Sequence, residues 1–280
     1  MKISVFSLFR DSGDSVHRTL SGLEGIQNKT DADFEYFFYE NDSKDETPSI
    51  LKEWISDKSG KVLTETLGIQ KFNSTFEPER MIHLSNVRNK MLSLAGKIDS
   101  DYSVIFDSDV IFDEGIINQY LKHKNLNFSM LTPNIRQNIP CKMSGLSDSS
   151  YYDSSILFDL EGTNCMTWSD NPFFEESDRD KFNNLEPIRV ARAFGGFTFL
   201  KSDALSNCKW LSKGESEHWS FCDQLIKFGD IYLIPDIKVF VDVVLPALPS
   251  GHMDKVISKQ KKLLESPWNR FLWKRGALQI

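Results

Sequence analysis

The sequence predicts an α/β fold, in which a mixed, mostly parallel β-sheet is flanked by helices within a single domain. Short apolar runs rich in aromatic and β-branched residues alternate along the chain with segments whose apolar residues recur at helical spacing. Turn-forming residues follow several of these apolar runs. Strands that alternate with helices form parallel βαβ units, which bury a sheet between helical layers.

Two strand–helix pairs open the chain. Residues 3–9 (ISVFSLF) form an apolar strand, and the turn-forming RDSGDS separates it from a helix-compatible segment over 16–27. The aromatic run FEYFFY at 34–39 is a second buried strand. A polar turn follows it, and Asp45 or Thr47 can cap the next helix.

The pattern continues through the next five elements. A short strand over 61–67 precedes a long helix over 77–98, in which apolar residues recur every three or four positions. A fourth strand, YSVIF at 102–106, is followed by a helix over 116–123 and a fifth strand over 128–132. In such sheets, ligands bind in the crevice at the carboxyl ends of the strands.

The second half of the chain is less regular. Residues 136–193 lose the apolar period and are rich in Ser, Asp, Asn and Pro, and loops of this length are usually either functional lids or poorly ordered. Strand character resumes at 194–201 (FGGFTFLK), and a helix is predicted over 217–228. Residues 231–244 form one or two strands that Pro235 interrupts.

The chain is expected to form one domain with a C-terminal extension. Residues 1–250 make up the domain, with a first half over 1–135 and a second half over 136–250. Residues 251–280 form a basic helix and the aromatic tail SPWNRFLWKRGAL. Because the tail interleaves aromatic and basic side chains, it either packs on its own domain or makes peripheral contact with an anionic membrane.

The charge and cysteine content argue against several classes of protein. The formal net charge is -7, whereas nonspecific nucleic-acid binders carry a basic surface. No apolar stretch reaches the ~18 to 20 residues of a transmembrane segment, and the first apolar run is too short for a signal peptide. The 4 Cys contain no C-x-x-C pair, which argues against structural zinc and a disulfide framework. We therefore expect a cytoplasmic protein that binds no nucleic acid.

The tripeptide Asp-Ser-Asp stands on each side of the fourth predicted strand. Asp99 and Asp101 precede the strand, where acidic residues usually lie in a solvated loop. Asp107 and Asp109 follow it, at the end where a parallel sheet places its ligand. Alternate side chains of an extended chain point the same way, so these two carboxylates can converge on one cation. The second copy therefore predicts a metal site, with a helix cap or turn as the alternative.

The second predicted strand also ends in a cluster of acids. Glu40 is the first polar residue after the aromatic run, and it is well placed to accept a hydrogen bond from a base N–H or a ribose hydroxyl. Asp42, Ser43 and Asp45 follow it, and a role as turn and cap residues is equally open for them.

Several motifs, in order, resemble those of GT-A glycosyltransferases. YENDSKDET at 39–47 is similar to that family's acidic turn D-D-G-S-x-D-x-T, with Glu40 in the place of the first acid. LSNVRNKMLSLAGKIDSDYSVIFDSDVIF at 84–112 resembles its A-R-N helix and D-x-D strand. The ordered set covers about residues 3–135, and its wording is especially similar to the branch that contains fungal capsule mannosyltransferases.

This resemblance implies a nucleoside-diphosphate sugar as donor, a glycan hydroxyl as acceptor, and Mn2+ or Mg2+ as cofactor. The half over 1–135 would bind the nucleotide sugar, and the half over 136–250 would form the acceptor side. Phe9 or Arg10, at the end of the first strand, and Glu40 would contact the nucleoside.

The resemblance also assigns roles around the D-x-D motif. Asp109 would coordinate the cation that bridges the diphosphate, and Asp107 would face the ribose or the sugar and support the metal. Arg88 would lie near the diphosphate or steady Asp107, with an ion pair that holds helix to loop as the alternative.

The second half matches the family less closely. AFGGFTFLK resembles a Gly-Gly strand on the sugar side of many GT-A sites, so Gly195 and Gly196 would let a ligand approach the backbone, unless they only form a tight bend. In GESEHWSFC, Glu217 matches the first acid of an E-D pair that supplies the base of inverting members, and His218 replaces the second. Glu217 and Glu215 are the candidate catalytic acids. A plain first-turn acid favoured by the helix dipole is the alternative for Glu217.

His252, in PSGHMDK, is similar to a late histidine that completes the metal shell of many GT-A enzymes.

Two other functions fit the same sequence. One is a non-catalytic nucleotide-sugar or carbohydrate-binding module of GT-A shape. The other is a haloacid-dehalogenase-like phosphotransferase with Asp107 as nucleophile, because an apolar strand followed by D-x-D-V is also that family's pattern. The donor, the acceptor and the stereochemistry stay open.

Overall fold

The computed structural model describes residues 1–72, 77–138, 151–165 and 169–242. The strands are β1 (Lys2–Phe9), β2 (Asp33–Asn41), β3 (Gly60–Glu65), β4 (Tyr102–Asp107), β5 (Val110–Ile111), β6 (Phe128–Asn138), β7 (Ile188–Val190), β8 (Phe197–Lys201) and β9 (Asp230–Asp242). The helices are α1 (Gly13–Lys29), α2 (Thr47–Ile55), α3 (Pro78–Ser93), α4 (Ile116–Leu121), α5 (Glu176–Asn183), α6 (Ser202–Ser206) and α7 (Glu217–Leu225). The predicted C-terminal extension and His252 lie outside the described residues.

In the described part of the chain, one sheet of nine strands runs through both halves. Its order is β3-β2-β1-β4-β8-β6-β9-β5, and β7 also pairs with β9. Strands β3, β2, β1 and β4 are mutually parallel, as the strand–helix alternation predicts. Strand β8 then enters between β4 and β6 and is antiparallel to both. The predicted mixed α/β sheet is therefore confirmed, and its antiparallel character lies in the second half.

Helices cover both faces of the parallel part. Trp54 of α2 packs against Tyr36 and Phe38, which point to one face of β2. Lys90 of α3 lies over the ring of Tyr39, which points to the opposite face. The alternation of side chains along a strand explains this division, because neighbouring residues face opposite sides. Both faces carry apolar side chains, so most residues of β1, β2 and β4 are buried.

Several predicted elements differ from the structure. Helix α3 ends at Ser93 and not at 98, and Gly96 has a φ of 66°, a left-handed conformation that terminates helices. Strand β9 is continuous through Pro235, because a bulge between the Ile234 and Lys238 pairings takes up the proline. The predicted long loop contains α5 and β7, whose short lengths give too few residues for a visible period.

None of the helices in the described ranges combines the length and the apolar character that crossing a bilayer requires.

Candidate functional site

The carboxyl ends of β1, β2 and β4 meet at one edge of the sheet. Phe9 pairs in register with Glu40, and Leu8 pairs with Asp107. The parallel register therefore brings the acidic turn and the D-x-D motif together, although 67 positions of sequence separate Glu40 from Asp107. This is the crevice where open α/β sheets bind ligands.

Glu40 borders a pocket at the end of β2. Its carboxylate is buried, and its Oε1 accepts a hydrogen bond from the Ser43 N–H at 2.9 Å. The pocket has about 370 Å³ of empty volume, open solvent included, and Glu40, Asp42, Ser43, Pro48, Thr64, Glu65 and Thr66 line it. An open pocket with several polar groups can take part of a small ligand.

The two candidates at the end of β1 differ in their surroundings. Phe9 is buried and packs edge-on against Phe38 and Phe106, with centroid distances of 5.1 and 6.3 Å. Arg10 donates from Nη2 to the carbonyl of Ile69, so its guanidinium holds the segment after β3.

The carboxylates of Asp42 and Asp45, the other acids of the turn, accept hydrogen bonds from backbone N–H groups. Asp42 has a φ of 57°, and its Oδ1 accepts hydrogen bonds from the N–H groups of Leu67 and Gly68 at 2.7 and 2.8 Å. Asp45 accepts from the N–H groups of Thr47 and Gly13 at 3.0 and 2.8 Å. Asp42 and Asp45 therefore shape the turn, which is the alternative that the sequence left open.

Arg88 of α3 is the centre of a buried ionic cluster, and its side chain is 5% exposed. Its Nη2 donates to Asp107 Oδ1 at 3.1 Å, and its Nε donates to Glu217 Oε1 at 3.3 Å. The guanidinium also lies over the rings of Phe194 and Trp210. Burial lowers the pKa of Arg88, but the two carboxylates outweigh it and raise the pKa on balance. Arg88 thus links the D-x-D motif to α7.

The D-x-D turn is fixed at both its backbone and its middle residue. The N–H of Asp107 donates to the carbonyl of Gly196 at 2.9 Å, while the Asp107 side chain is 37% exposed. The carbonyl of Ser108 accepts from the Thr19 hydroxyl at 3.0 Å. Asp109 is exposed. Two carboxylates on an open turn are the hard oxygen ligands that Mg2+ and Mn2+ prefer, so these residues fit such a cation.

Within the described residues, no group of three or more His, Cys, Asp or Glu side chains is arranged to hold a metal ion. Asp107 and Asp109 would therefore supply two protein ligands at most from this part of the chain. The predicted third ligand, His252, lies outside it. A diphosphate and water can complete the shell of such an ion.

The candidate acids before and in α7 lie in different environments. Glu217 is buried, and its Oε1 contacts Arg88. His218 is buried against Phe194, and burial, together with the nearby Arg88, holds its pKa well below the usual range. Glu215 lies on an exposed turn, where its Oε2 accepts a hydrogen bond from the Lys213 N–H at 3.1 Å. The structure therefore brings Glu217 and His218 to the Arg88 cluster, and leaves Glu215 in solvent.

Gly195 and Gly196 form a tight bend. Their φ angles are 69° and 68°, which L side chains rarely adopt. A Cβ on Gly195 would lie 2.9 Å from the Pro133 carbonyl oxygen, and one on Gly196 would lie 2.7 Å from Val110 Cγ1. Backbone conformation and packing thus explain why both positions are glycine. This agrees with the tight bend, which was the alternative interpretation of the sequence.

The structure also brings a residue to the site that sequence reasoning missed. Asp153 accepts a hydrogen bond from the Gly195 N–H at 3.0 Å. Burial, helped by the charges of Asp107 and Glu217, raises its pKa to about 7 against the opposing effects of the Gly195 N–H and Arg88. It stands in YYDSS, a polar stretch without period, so no local signal marks it.

A protein-family model described as "Cryptococcal mannosyltransferase 1" matches residues 37–228, more than half of the 280-residue chain. The chain belongs to this family. The matched residues of this Cryptococcal mannosyltransferase 1 family member run from β2 to just past α7, so they contain Glu40, Arg88, Asp107, Asp109, Asp153 and Glu217.

Solved structures with the same fold are distant in sequence. Staphylococcus aureus TarS is 13% identical, with a TM-score of 0.51 over 95% of this chain and 44% of that chain. A mycobacterial protein is 12% identical, with a TM-score of 0.50 over 99% of this chain and 76% of that chain. A comparison with curated proteins gave no match. This member of the Cryptococcal mannosyltransferase 1 family therefore has the GT-A glycosyltransferase fold that its motifs predict.

Proposed function

We propose that this protein is a metal-dependent glycosyltransferase that moves a hexosyl or pentosyl group from a nucleoside-diphosphate sugar to a glycan hydroxyl. The observation that carries the proposal is the meeting of the Glu40 pocket and the Asp107–Asp109 turn at one sheet edge. The pocket suits a nucleoside and the carboxylate turn suits a cation, so together they fit the two ends of a nucleoside diphosphate.

Asp109 and Asp107 would hold Mn2+ or Mg2+. Such a cation, when bound, neutralises the charge that develops on a diphosphate leaving group. The protein needs such help, because a chain with a net charge of -7 otherwise repels an anionic donor.

Arg88 and the nucleoside residues have supporting roles in this proposal. Arg88 fixes Asp107 in position through the hydrogen bond from its Nη2 to Asp107 Oδ1. Glu40 offers a buried carboxylate to a base N–H or a ribose hydroxyl, and Phe9 pairs with it from the neighbouring strand. Glu217 is the candidate base in this proposal, although its Oε1 contacts Arg88.

A thermal-shift screen of UDP-, GDP- and CMP-sugars, each with and without Mn2+, tests the proposal. One nucleotide should raise the melting temperature, and only with the cation present. A ligand at about 100 times its dissociation constant adds about 2.7 kcal/mol to the free energy of unfolding, which is a readily measured shift. If no nucleotide sugar stabilises the protein, the proposal is wrong. Stabilisation without transfer to any of a broad set of glycan acceptors would favour the non-catalytic binding module.

A further inference from the structure

Tyr152 and Asp153 stand beside the D-x-D turn, although neither belongs to a motif. The N–H of Tyr152 donates to the carbonyl of Ile135 in β6 at 3.0 Å. Asp153 Oδ2 accepts from the Gly195 N–H at 3.0 Å. The first contact attaches the Tyr152 backbone to β6, and the second orients the Asp153 side chain toward the glycine bend.

The glycine bend connects Asp153 directly to the D-x-D motif. Gly195 donates to the Asp153 carboxylate, and the next residue, Gly196, accepts the backbone N–H of Asp107 at 2.9 Å. Two consecutive residues therefore hold Asp153 on one side and Asp107 on the other. Arg88 donates to Asp107 at 3.1 Å and to Glu217 at 3.3 Å, so the bend joins Asp153 to the Arg88 cluster.

The segment that carries this pair is firmly attached to α7. The N–H of Phe158 donates to the carbonyl of Arg192 at 2.9 Å. Arg192 makes two hydrogen bonds to Asp223 of α7, at 2.8 and 2.9 Å. Its guanidinium lies between the rings of Phe158 and Trp219, at 5.0 and 5.4 Å from their centroids. Asp153 is thus preorganised, as a binding residue must be.

The chemistry of the pair suits a sugar ring. Tyr152 is 41% exposed and precedes Asp153 directly in the chain, so part of its side chain is open to a ligand. Among the described residues, Asp153 Oδ1 has no hydrogen-bond donor. An aromatic ring packs on the C–H face of a sugar, and a carboxylate oxygen accepts its hydroxyl.

We propose that Tyr152 and Asp153 form a sugar-binding subsite, in which Asp153 accepts a hydrogen bond from a sugar hydroxyl while the Tyr152 ring packs against the sugar. The inference rests on the proposed glycosyltransferase function. It identifies the ligand as a neutral sugar ring, and that ring belongs either to the donor or to the acceptor.

Matched ligand pairs test the subsite and separate the two sources. Calorimetry with Mn2+ gives dissociation constants for UDP and UDP-glucose, and for GDP and GDP-mannose, on the wild type and on Asp153→Asn and Tyr152→Ala. The asparagine variant still accepts the Gly195 N–H, so the bend is retained. Loss of one charge-assisted hydrogen bond is expected to weaken sugar recognition about 10-fold.

The donor result is a 10-fold weaker binding of the nucleotide sugar, with binding of the free nucleotide within twofold of wild type. The acceptor result is unchanged binding of both, with a 10-fold rise in KM for methyl glycosides as acceptors in a transfer assay. Either result supports the subsite. It is overturned if both variants leave all these constants within twofold, or if they weaken the free nucleotide as much as the nucleotide sugar.

One comparison and one control complete the design. Tyr152→Phe keeps the ring and should recover the sugar recognition that Tyr152→Ala loses. Asp99→Asn changes an exposed aspartate at the opposite end of β4 and should match wild type in every assay. Failure of the proposed function has a different readout. The wild type itself would then bind neither nucleotides nor nucleotide sugars with Mn2+, and the subsite proposal would be overturned as well.

Discussion

At the residue scale, the two Asp-Ser-Asp copies have different surroundings. Asp99 forms an exposed ion pair with Lys2 at 2.7 Å, and Asp101 Oδ2 accepts the Lys2 N–H. Asp107 is held by Arg88, at the other end of β4. The position of each copy relative to β4 predicted a solvated loop for the first copy and a metal site for the second. In the structure, the first copy contacts Lys2 and the second contacts Arg88.

Replacement of Asp109 by alanine should remove cation-dependent donor turnover, because the proposed metal loses a carboxylate ligand. Loss of about 100-fold or more in kcat/KM is expected, comparable to the removal of one group that stabilises a developing charge. Nucleotide-sugar hydrolysis and transfer assays over a range of Mn2+ concentrations measure it. Asp99→Ala is the control and should stay near wild type, since exposed ion pairs contribute about 0 to 1 kcal/mol. Full activity in the Asp109 variant would contradict the metal assignment.

Replacement of Arg88 by methionine should destabilise the fold strongly. Glu217, with a side chain 4% exposed, would be left as an uncompensated buried carboxylate. Breaking a buried pair in this way costs about 3–5 kcal/mol in the free energy of unfolding, as urea denaturation would show. The double variant Arg88→Met/Glu217→Gln removes the stranded charge and should recover part of the loss. A loss below about 1 kcal/mol in the single variant would show that the cluster is not a stabilising element.

Asp153 should make the stability of the protein depend on pH. Its pKa of about 7 in the folded state lies above the ordinary value of 3.8, so the folded protein holds this proton more tightly than the unfolded chain does. The resulting stabilisation is complete below about pH 4 and is lost as the pH rises through 7. Asp153→Asn lacks this dependence. Its melting temperature relative to wild type, measured without divalent cations, should rise between pH 4 and pH 7.5, and a constant difference would contradict the shifted pKa.

At the scale of elements, the Gly195–Gly196 bend before β8 makes hydrogen bonds to two residues of the site. It contacts Asp153 through an N–H and Asp107 through a carbonyl. β8 itself lies between β4 and β6, so the bend is fixed by the sheet and not by a free loop. The motif AFGGFTFLK marked this element in the sequence, but its antiparallel insertion beside β4 depends on pairing across the whole chain.

Replacement of Gly195 by alanine should cost more stability than replacement of Gly162. Both glycines have a positive φ, of 69° and 77°, so each alanine carries a left-handed penalty of about 1–2 kcal/mol. A Cβ on Gly162 meets nothing within 4 Å, whereas one on Gly195 lies 2.9 Å from a backbone oxygen. Overpacking adds a further ~1–3 kcal/mol for Gly195. Equal losses of the free energy of unfolding, by chemical denaturation, would show that the bend relaxes without cost.

At the scale of the whole molecule, one sheet contains strands of both halves. At the site, the Arg88 cluster also joins residues of the two halves. Arg88 and Asp107 come from the first half, and Glu217 comes from the second. The acidic turn, the D-x-D motif and α7 therefore act as one unit, although each belongs to a different local motif. Membership of the Cryptococcal mannosyltransferase 1 family agrees with this, because the matched region contains all three.

The sequence by itself determined the strand–helix alternation, the parallel first half and the edge at which Glu40 and Asp107 lie. Local periodicity and the rules of parallel sheets suffice for these features, since each depends on neighbouring residues and on strand direction. Only the tertiary structure decided the place of Asp153, the burial of Glu217 and the different position of Glu215. These depend on pairings between distant segments, such as β4 with β8, and the environment of a carboxylate is set by the groups that such pairings bring around it.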